Sequence, residues 1–334
     1  MTDLPYRFLG TTGVRVSALA FGTMPFGGDV DEATAAKLFA RCRDAGINHF
    51  DCADVYNAGA AETILGKLIA DSRDELVIST KAYFPTSADD VNARGASRRH
   101  LIRAVEDSLR RLGTDRVDLF YVHRHDEHTA IEDTLRALDD LVRQGKIIYP
   151  ALSNFAAWQA ARALGHAERL GLAKPVCIQP MYNLAKRQAE VELLPMAASE
   201  GLAVLPYNPL GGGLLAGAYG RARRPERGRL IANSMYAERY GADANFELAE
   251  RFVALASELG HHPAALAVAW VASHPAVTAP LLGARTLEQL EPLLASAKIV
   301  LEPQLRARIS ALSPTPPPAT DRNEERTVHN YGAR

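Results

Sequence analysis

The chain has 334 residues, 47% of them hydrophobic and 23% charged, with a formal net charge of −1. That composition is globular, with length enough for a large core, and it excludes the basic footprint of a nucleic-acid binder or a cationic membrane face. No run of about 18 apolar residues occurs, and the first residues lack the basic-then-apolar layout of a secretory signal, so a cytoplasmic protein is expected. Cys42, Cys52 and Cys177 are odd in number and far apart, which argues against a disulfide framework or a zinc knuckle.

In chain order, residues 6–17 read as a hairpin: Tyr6-Arg7-Phe8, a turn across Gly10 to Gly13, then Val14-Arg15-Val16. Such a hairpin is placed to plug the bottom of a barrel. Eight short strand-like runs follow, at about 18–21, 48–51, 76–79, 117–122, 147–152, 176–178, 202–205 and 277–282. Helical patterns separate them. Residues 97–112 set Leu101, Val105, Leu109 and Leu112 on one face, with Ser97 as N-cap and Gly113 as the stop. Residues 130–144 do the same with Ile131, Leu135, Leu138 and Val142, with Thr129 and Glu132 as a capping box and Gly145 ending the helix. Repeated strand–helix units imply parallel strands. Eight of them point to a (β/α)8 TIM barrel, the alternative being an open sheet. Residues 208–244 are a long Gly- and Arg-rich connection after the seventh strand. We expect one barrel domain over 1–312 and a mobile, Pro-rich and charged tail over 313–334.

Polar residues at the C-terminal ends of barrel strands are where chemistry belongs. Asp51, Lys81 and His123 end the second, third and fourth strands, and Tyr56 follows Asp51 in its loop. A tyrosine there serves as a general acid if a neighbouring lysine cation lowers its pKa. A carboxylate keeps that lysine charged, and a histidine hydrogen-bonds a substrate carbonyl oxygen. Ser153, Asn154, Gln179 and Tyr207 end later strands, and Arg285 follows the eighth.

These residues stand in segments that resemble the aldo-keto reductase family over about residues 5–300, in particular bacterial members related to the potassium-channel β-subunit-like branch. The segments are Gly22-Thr23-Met24, Asn48 to Tyr56, Ser79-Thr80-Lys81, Asp118 to His123, Leu152 to Phe155, Gln179 to Asn183, Tyr207 to Leu210, and Leu282 to Arg285. The resemblance implies NADPH-dependent carbonyl reduction with Asp51, Tyr56, Lys81 and His123 as a catalytic tetrad. It implies that Ser153, Asn154 and Gln179 hold the nicotinamide carboxamide, that Tyr207 stacks on the ring and that Gly22 and Thr23 line that side. Leu210, Gly212 and Leu214 would follow the pyrophosphate through backbone groups. Gly283, Arg285, Thr286 and Gln289 would hold the adenosine end, with Arg285 near the 2′-phosphate. Met24, Phe26 and His125 are candidates for the substrate pocket, which takes a small-molecule carbonyl compound.

Three departures from the family stand out. Ala218 occupies the place of a lysine after the Gly-rich loop, with Arg221 as a substitute cation; Pro292 and Leu293 replace the polar adenine contacts; and Pro150-Ala151 interrupts the fifth strand's usual ending. Bland readings stand beside the sharp ones. Asp51 and Lys81 alone also describe a buried ion pair. His123, His125 and His128 lack metal-ligand spacing, and no metal is expected. Gly211, Gly213 and Ala216 spell a dinucleotide fingerprint but lack its strand–helix context. The basic run Arg221, Arg223, Arg224, Arg227 and Arg229 is either a solvated face or a loop folding over phosphates or substrate. Cys52, Trp158 and Trp270 read as packing residues. The competing functions are a cofactor-binding sensor with slow chemistry and a metal-dependent barrel hydrolase.

Overall fold

The structure is a computed structural model describing residues 4–226 and 228–328. Arg227 and the last six tail residues lie outside the described residues. The hairpin pairs β1 (Tyr6–Phe8) with β2 (Arg15–Ser17). Eight parallel strands follow: β3 (Ala20–Gly22), β4 (His49–Asp51), β5 (Val77–Ala82), β6 (Val117–Val122), β7 (Ile147–Ser153), β8 (Cys177–Gln179), β9 (Ala203–Val204) and β10 (Leu281–Leu282). Their order is β10-β3-β4-β5-β6-β7-β8-β9. Backbone bonds from Thr278 to Val204 and from Leu281 to Pro206, 2.8 and 2.9 Å, join the two edges and close the barrel. This is the (β/α)8 architecture, and its strand ends form one rim.

The crossovers are α1 (Glu32–Asp44), α2 (Ala60–Ile69), α3 (Arg98–Leu112), α4 (Ile131–Arg143), α5 (Ala157–Leu170) and α6 (Leu193–Ser199). Ser97 caps α3 by accepting from His100, and Gly113 ends it in the left-handed region. The expected capping box of α4 does not form. Ala130 is the N-cap, because the Thr129 hydroxyl is taken by Asp126 at 2.8 Å.

Alternation along β6 divides the core. Leu119 and Tyr121 point inward, while Phe120 and Val122 pack under the helices. Phe120→Ala would remove a fully buried ring and cost about 3–5 kcal/mol. Leu9 and Val16 of the hairpin join the inner cluster, so the hairpin does plug the barrel. Gly10 makes this possible. It has φ +56°, and a Cβ there would sit 2.7 Å from the Gly201 carbonyl oxygen. Pro150 does not break β7; it stays in register with Phe120, and its carbonyl accepts from Val176. Trp270 is fully buried, but Trp158 is exposed, contrary to its packing assignment.

The connection after β9 is folded. Gly211–Ala216 form a tight turn, followed by α7 (Arg229–Ala232) and α8 (Ser234–Tyr240). Leu214, Tyr219, Leu230, Tyr236, Tyr240 and Phe246 make a separate small core that holds this segment over the rim. The chain then runs through α9 (Asp243–Glu258), α10 (Pro263–Ala272), α11 (Leu287–Ala295) and α12 (Pro303–Ser310). Arg187 and Arg251 fasten the end of α12 by donating to Ser310 and Leu312 carbonyls. Among the described residues, no helix is long and apolar enough to cross a membrane.

Candidate active site

The ends of β4, β5, β6 and β8 bring four polar groups into one buried network. Lys81, fully buried, donates to Asp51 Oδ2 and, at 2.7 Å, to the Cys52 carbonyl. Asp51 Oδ1 accepts from Ser79 Oγ at 2.7 Å and from Gln179 Nε2 at 3.0 Å. His49 donates to Ser79 behind it at 3.1 Å, its pKa pushed down to about 4 by burial. With these donors the buried carboxylate is satisfied, which is the condition for keeping an ion pair in the interior.

Tyr56 and His123 face the cavity above this network. Lys81 Nζ lies 5.2 Å from the centre of the Tyr56 ring, and the Tyr56 and His123 rings meet edge-on at 6.1 Å. Burial first, and then the Asp51 charge, holds the Tyr56 phenol well above its ordinary value. The expected lowering by Lys81 is therefore not what prevails: the ammonium is spent on Asp51, and the carboxylate's charge reaches the phenol as well. Burial, assisted by Lys81, drops His123 well below the ordinary imidazole value, so it is neutral. Its Nδ1 is buried without a hydrogen-bond partner among the described residues, which favours the tautomer carrying the proton on Nε2, toward the cavity. At neutral pH the site thus presents a phenol O–H and an imidazole N–H side by side.

The cavity holds about 1040 Å³ and runs from these groups along Gly212 and Gly213 to Arg285. Gly22, Ser153, Asn154, Gln179, Tyr207, Leu210, Gly283 and Gln289 line it. Asn154, at φ +55°, donates Nδ2 to the His123 carbonyl at 2.9 Å and accepts the Tyr207 hydroxyl at 2.8 Å. Ser153 Oγ donates to the Gln179 carbonyl at 2.9 Å. Asn154 Oδ1 and Gln179 Oε1 are therefore the acceptors left for a ligand amide.

Several expected contacts are absent. Thr23 is buried with its hydroxyl on the Asp51 carbonyl, where it fixes the end of β4 instead of lining the cavity. Phe26 is fully buried against Phe21 in the core. The Leu214 side chain is buried in the small core beneath α8, so the backbone contact expected of it is all that it could offer. His125 lies in a separate recess near Trp158, its ring against Phe155. Thr286 caps α11 with its side chain and does not face the cavity. Met24 does line it, on a loop fastened by Asn57 Nδ2 to the Met24 and Phe26 carbonyls, 2.9 and 2.8 Å.

Arg221 does not replace the missing lysine, being paired with Glu250 on the surface at 3.1 Å. Phe84, Arg124 and Tyr236 line the cavity without having been singled out. Phe84 and Arg124 each stand just past a catalytic-end residue. Tyr236 and Tyr240 form an aromatic pair at helical spacing inside the Gly- and Arg-rich stretch, which was their signal. Among the described residues, no group of three or more His, Cys, Asp or Glu is placed to hold a metal ion.

A closed eight-stranded parallel barrel with this rim defines a recognisable class, and the chain belongs to the aldo/keto reductase family, whose model matches residues 18–314. It is 38% identical over 94% of its length to the protein of Bacillus subtilis (strain 168) named "Uncharacterized oxidoreductase YrpG", covering 97% of that relative. It is 35% identical to a "Probable voltage-gated potassium channel subunit beta" of Oryza sativa subsp. japonica, covering 95% of this chain and 99% of the relative. A protein of the same description from Arabidopsis thaliana is also 35% identical, covering 89% of this chain and 92% of the relative. Family membership supports oxidoreductase activity as the class of chemistry.

Proposed function

We propose that the chain reduces an aldehyde or ketone to an alcohol with NADPH, Tyr56 supplying the proton, and that the reaction also runs in reverse. The observation that carries this reading is the pairing of a protonated Tyr56 with a neutral His123 at one end of a cavity whose other end carries Arg285. The cavity fits a dinucleotide by its volume, by the glycine backbone along its wall and by the amide acceptors beside Tyr207.

When bound, the reduced nicotinamide supplies a hydride to the carbonyl carbon. Tyr56 donates its hydroxyl proton to the carbonyl oxygen as negative charge grows there. His123 Nε2 donates a hydrogen bond to the same oxygen and fixes its direction. Lys81 and Asp51 position the tyrosine and set the local charge. Asn154 and Gln179 orient the carboxamide, with Ser153 holding both in place, and Tyr207 lends a ring face. Gly22, Leu210 and Gly212 border the nicotinamide and diphosphate; Gly283, Arg285 and Gln289 border the adenosine. The partner is a small carbonyl compound. Three free, buried cysteines suit a cytoplasmic setting.

The test is NADPH consumption with a panel of aldehydes and ketones, comparing wild type with Tyr56→Phe. Turnover should fall about 10²-fold or more in the variant while NADPH still binds. Equal turnover would remove Tyr56 from the role. The channel-subunit names of two relatives favour a second reading, a cofactor-holding regulatory subunit with slow chemistry. Tight NADPH binding with no turnover on any carbonyl in that panel would favour it.

A further inference from the structure

The turn that follows Tyr56 is built from backbone that residues with a Cβ seldom adopt. Asn57, Ala58 and Gly59 stand in succession at φ +48°, +54° and +88°. Asparagine and glycine tolerate that left-handed region; alanine does not, so Ala58 is strained and its surroundings must hold it there. One hold is at Gly59. The Arg111 side chain passes so close that a Cβ on Gly59 would meet its Cδ at 2.7 Å, and Glu62 fixes that arginine.

The other hold is the Asn57 amide, at the edge of the cavity. Its Nδ2 gives one hydrogen to the Met24 carbonyl at 2.9 Å and the other to the Phe26 carbonyl at 2.8 Å. Two acceptors call for the nitrogen and not the oxygen of the amide. The two carbonyls differ in what else fixes them. Phe26 is an anchor: its ring is fully buried against Phe21, and its N–H donates to the Thr23 carbonyl at 2.9 Å. Met24 is 39% exposed and stands on the cavity wall. The amide therefore ties the residue next to Tyr56 to a fixed point in the core, and ties Met24 to both. Glycines allow the approach. A Cβ on Gly27 would lie 2.6 Å from Ala60 Cβ, and one on Gly28 would lie 2.6 Å from Asn57 Oδ1.

We propose that Asn57 is a positioning and specificity-determining residue: its amide sets where Tyr56 stands and holds Met24 as a fixed wall, so that carbonyl compounds are selected by their bulk at that wall. The proposal rests on the carbonyl-reductase reading of this site. Asn57 transfers no proton; it acts through its neighbour and through the loop it clamps. Asparagine meets both demands of the position, a left-handed backbone and two N–H donors on a short stem. Glycine meets only the first.

The test uses the full chain and three variants. Asn57→Gly keeps the backbone and removes the amide. Asn57→Asp keeps the shape and removes both donors. Ala58→Gly relieves the backbone and leaves the amide in place. Each reduces benzaldehyde and the bulkier 1-naphthaldehyde with NADPH, and NADPH affinity and melting temperature are the controls. In Asn57→Gly, kcat/KM for benzaldehyde should fall about tenfold, as expected for two lost hydrogen bonds. The fall for 1-naphthaldehyde should be smaller, because a released wall no longer rejects bulk. NADPH affinity should be unchanged. In Asn57→Asp the loss relative to wild type should shrink as pH falls and the carboxyl regains a proton to donate. Ala58→Gly should keep wild-type kinetics. Wild-type kcat/KM in Asn57→Gly would overturn the proposal, and so would an equal loss for both aldehydes. A third contrary result is Ala58→Gly reproducing the Asn57→Gly kinetics, which would give the effect to the backbone and not to the amide. A wild type that binds NADPH and turns over neither aldehyde would instead remove the parent reading, and the clamp with it.

Discussion

Lys81 stands between Asp51 and Tyr56: its Nζ donates to the Asp51 carboxylate while lying 5.2 Å from the centre of the Tyr56 ring. The phenol therefore feels an ion pair and not a lone cation. Lys81→Met keeps most of the stem and removes the positive half. Asp51 then faces Tyr56 without its counterion and pushes the phenol still higher. A higher phenol pKa leaves Tyr56 protonated during reduction but makes it a poorer acid. Alcohol oxidation, which needs the phenolate, should shift its pH profile upward. Hydride transfer measured in both directions across pH checks this; an unshifted oxidation profile at the wild-type rate would remove Lys81 from the tuning. The orphaned carboxylate should also cost about 3–5 kcal/mol of stability, partly offset by Ser79 and Gln179.

Arg285 sits at the rim, 37% exposed, with Asp29 at 3.4 Å. If it reads the 2′-phosphate, Arg285→Ala weakens NADPH by about tenfold and leaves NADH nearly unchanged, since a lost charged hydrogen bond is worth that much. Asp29→Ala should do the reverse by releasing the guanidinium, tightening NADPH slightly. Dissociation constants for both cofactors decide it. Equal losses for NADPH and NADH in Arg285→Ala would take the 2′-phosphate away from this residue.

The barrel was legible because alternation and turn residues repeat at each unit, and β6 shows why. Its inward Leu119 and Tyr121 and outward Phe120 and Val122 are a period of two written in strand-forming side chains. The positions of Asp51, Lys81 and His123 were legible for the same reason, since a strand end fixes a place on the rim. Side-chain direction was not. Thr23 and Phe26 stand on either side of Met24-Pro25, yet one turns to the Asp51 carbonyl and the other into the core, leaving Met24 and Pro25 on the cavity. Leu214 went to a core that exists only once α8 folds over it. The α4 cap was lost to Asp126, a competitor that local spacing does not rank against Thr129's own helix.

Gly212 carries the Tyr236 ring as well as forming part of the cavity wall. Gly212→Ala places a methyl group 2.6 Å from Tyr236 Cδ1 on a backbone at φ +70°. The left-handed conformation costs a non-glycine residue about 1–2 kcal/mol, and the Tyr236 ring must also move. Melting temperature should fall by a few degrees, and affinity for both NADPH and NADH should drop together because the same ring covers the wall. Wild-type affinity in a destabilised variant would show that the covering ring is separate from binding.

Asp54 is a buried carboxyl group that the reaction does not use. It is 2% exposed, and neither carboxylate oxygen has a hydrogen-bond partner among the described residues. Nearby, Glu62 is fully buried and takes Thr80 at 2.5 Å and Arg111 at 2.7 Å, so one cation serves two carboxyl groups. Burial, and then Glu62, pushes Asp54 up to about 8. In the unfolded chain the same carboxyl titrates near 4. Between these values the folded chain keeps a proton that the unfolded chain has released. Stability therefore falls as pH rises through that window and levels off above the folded value. Asp54→Asn keeps the shape and removes the titration. The variant should match the wild type near pH 4 and exceed it by a few kcal/mol near pH 8 to 9. Denaturant unfolding at a series of pH values reads the difference directly. Parallel stability curves for the two proteins across that range would mean that Asp54 is charged in the folded state, with Arg111 compensating both carboxylates.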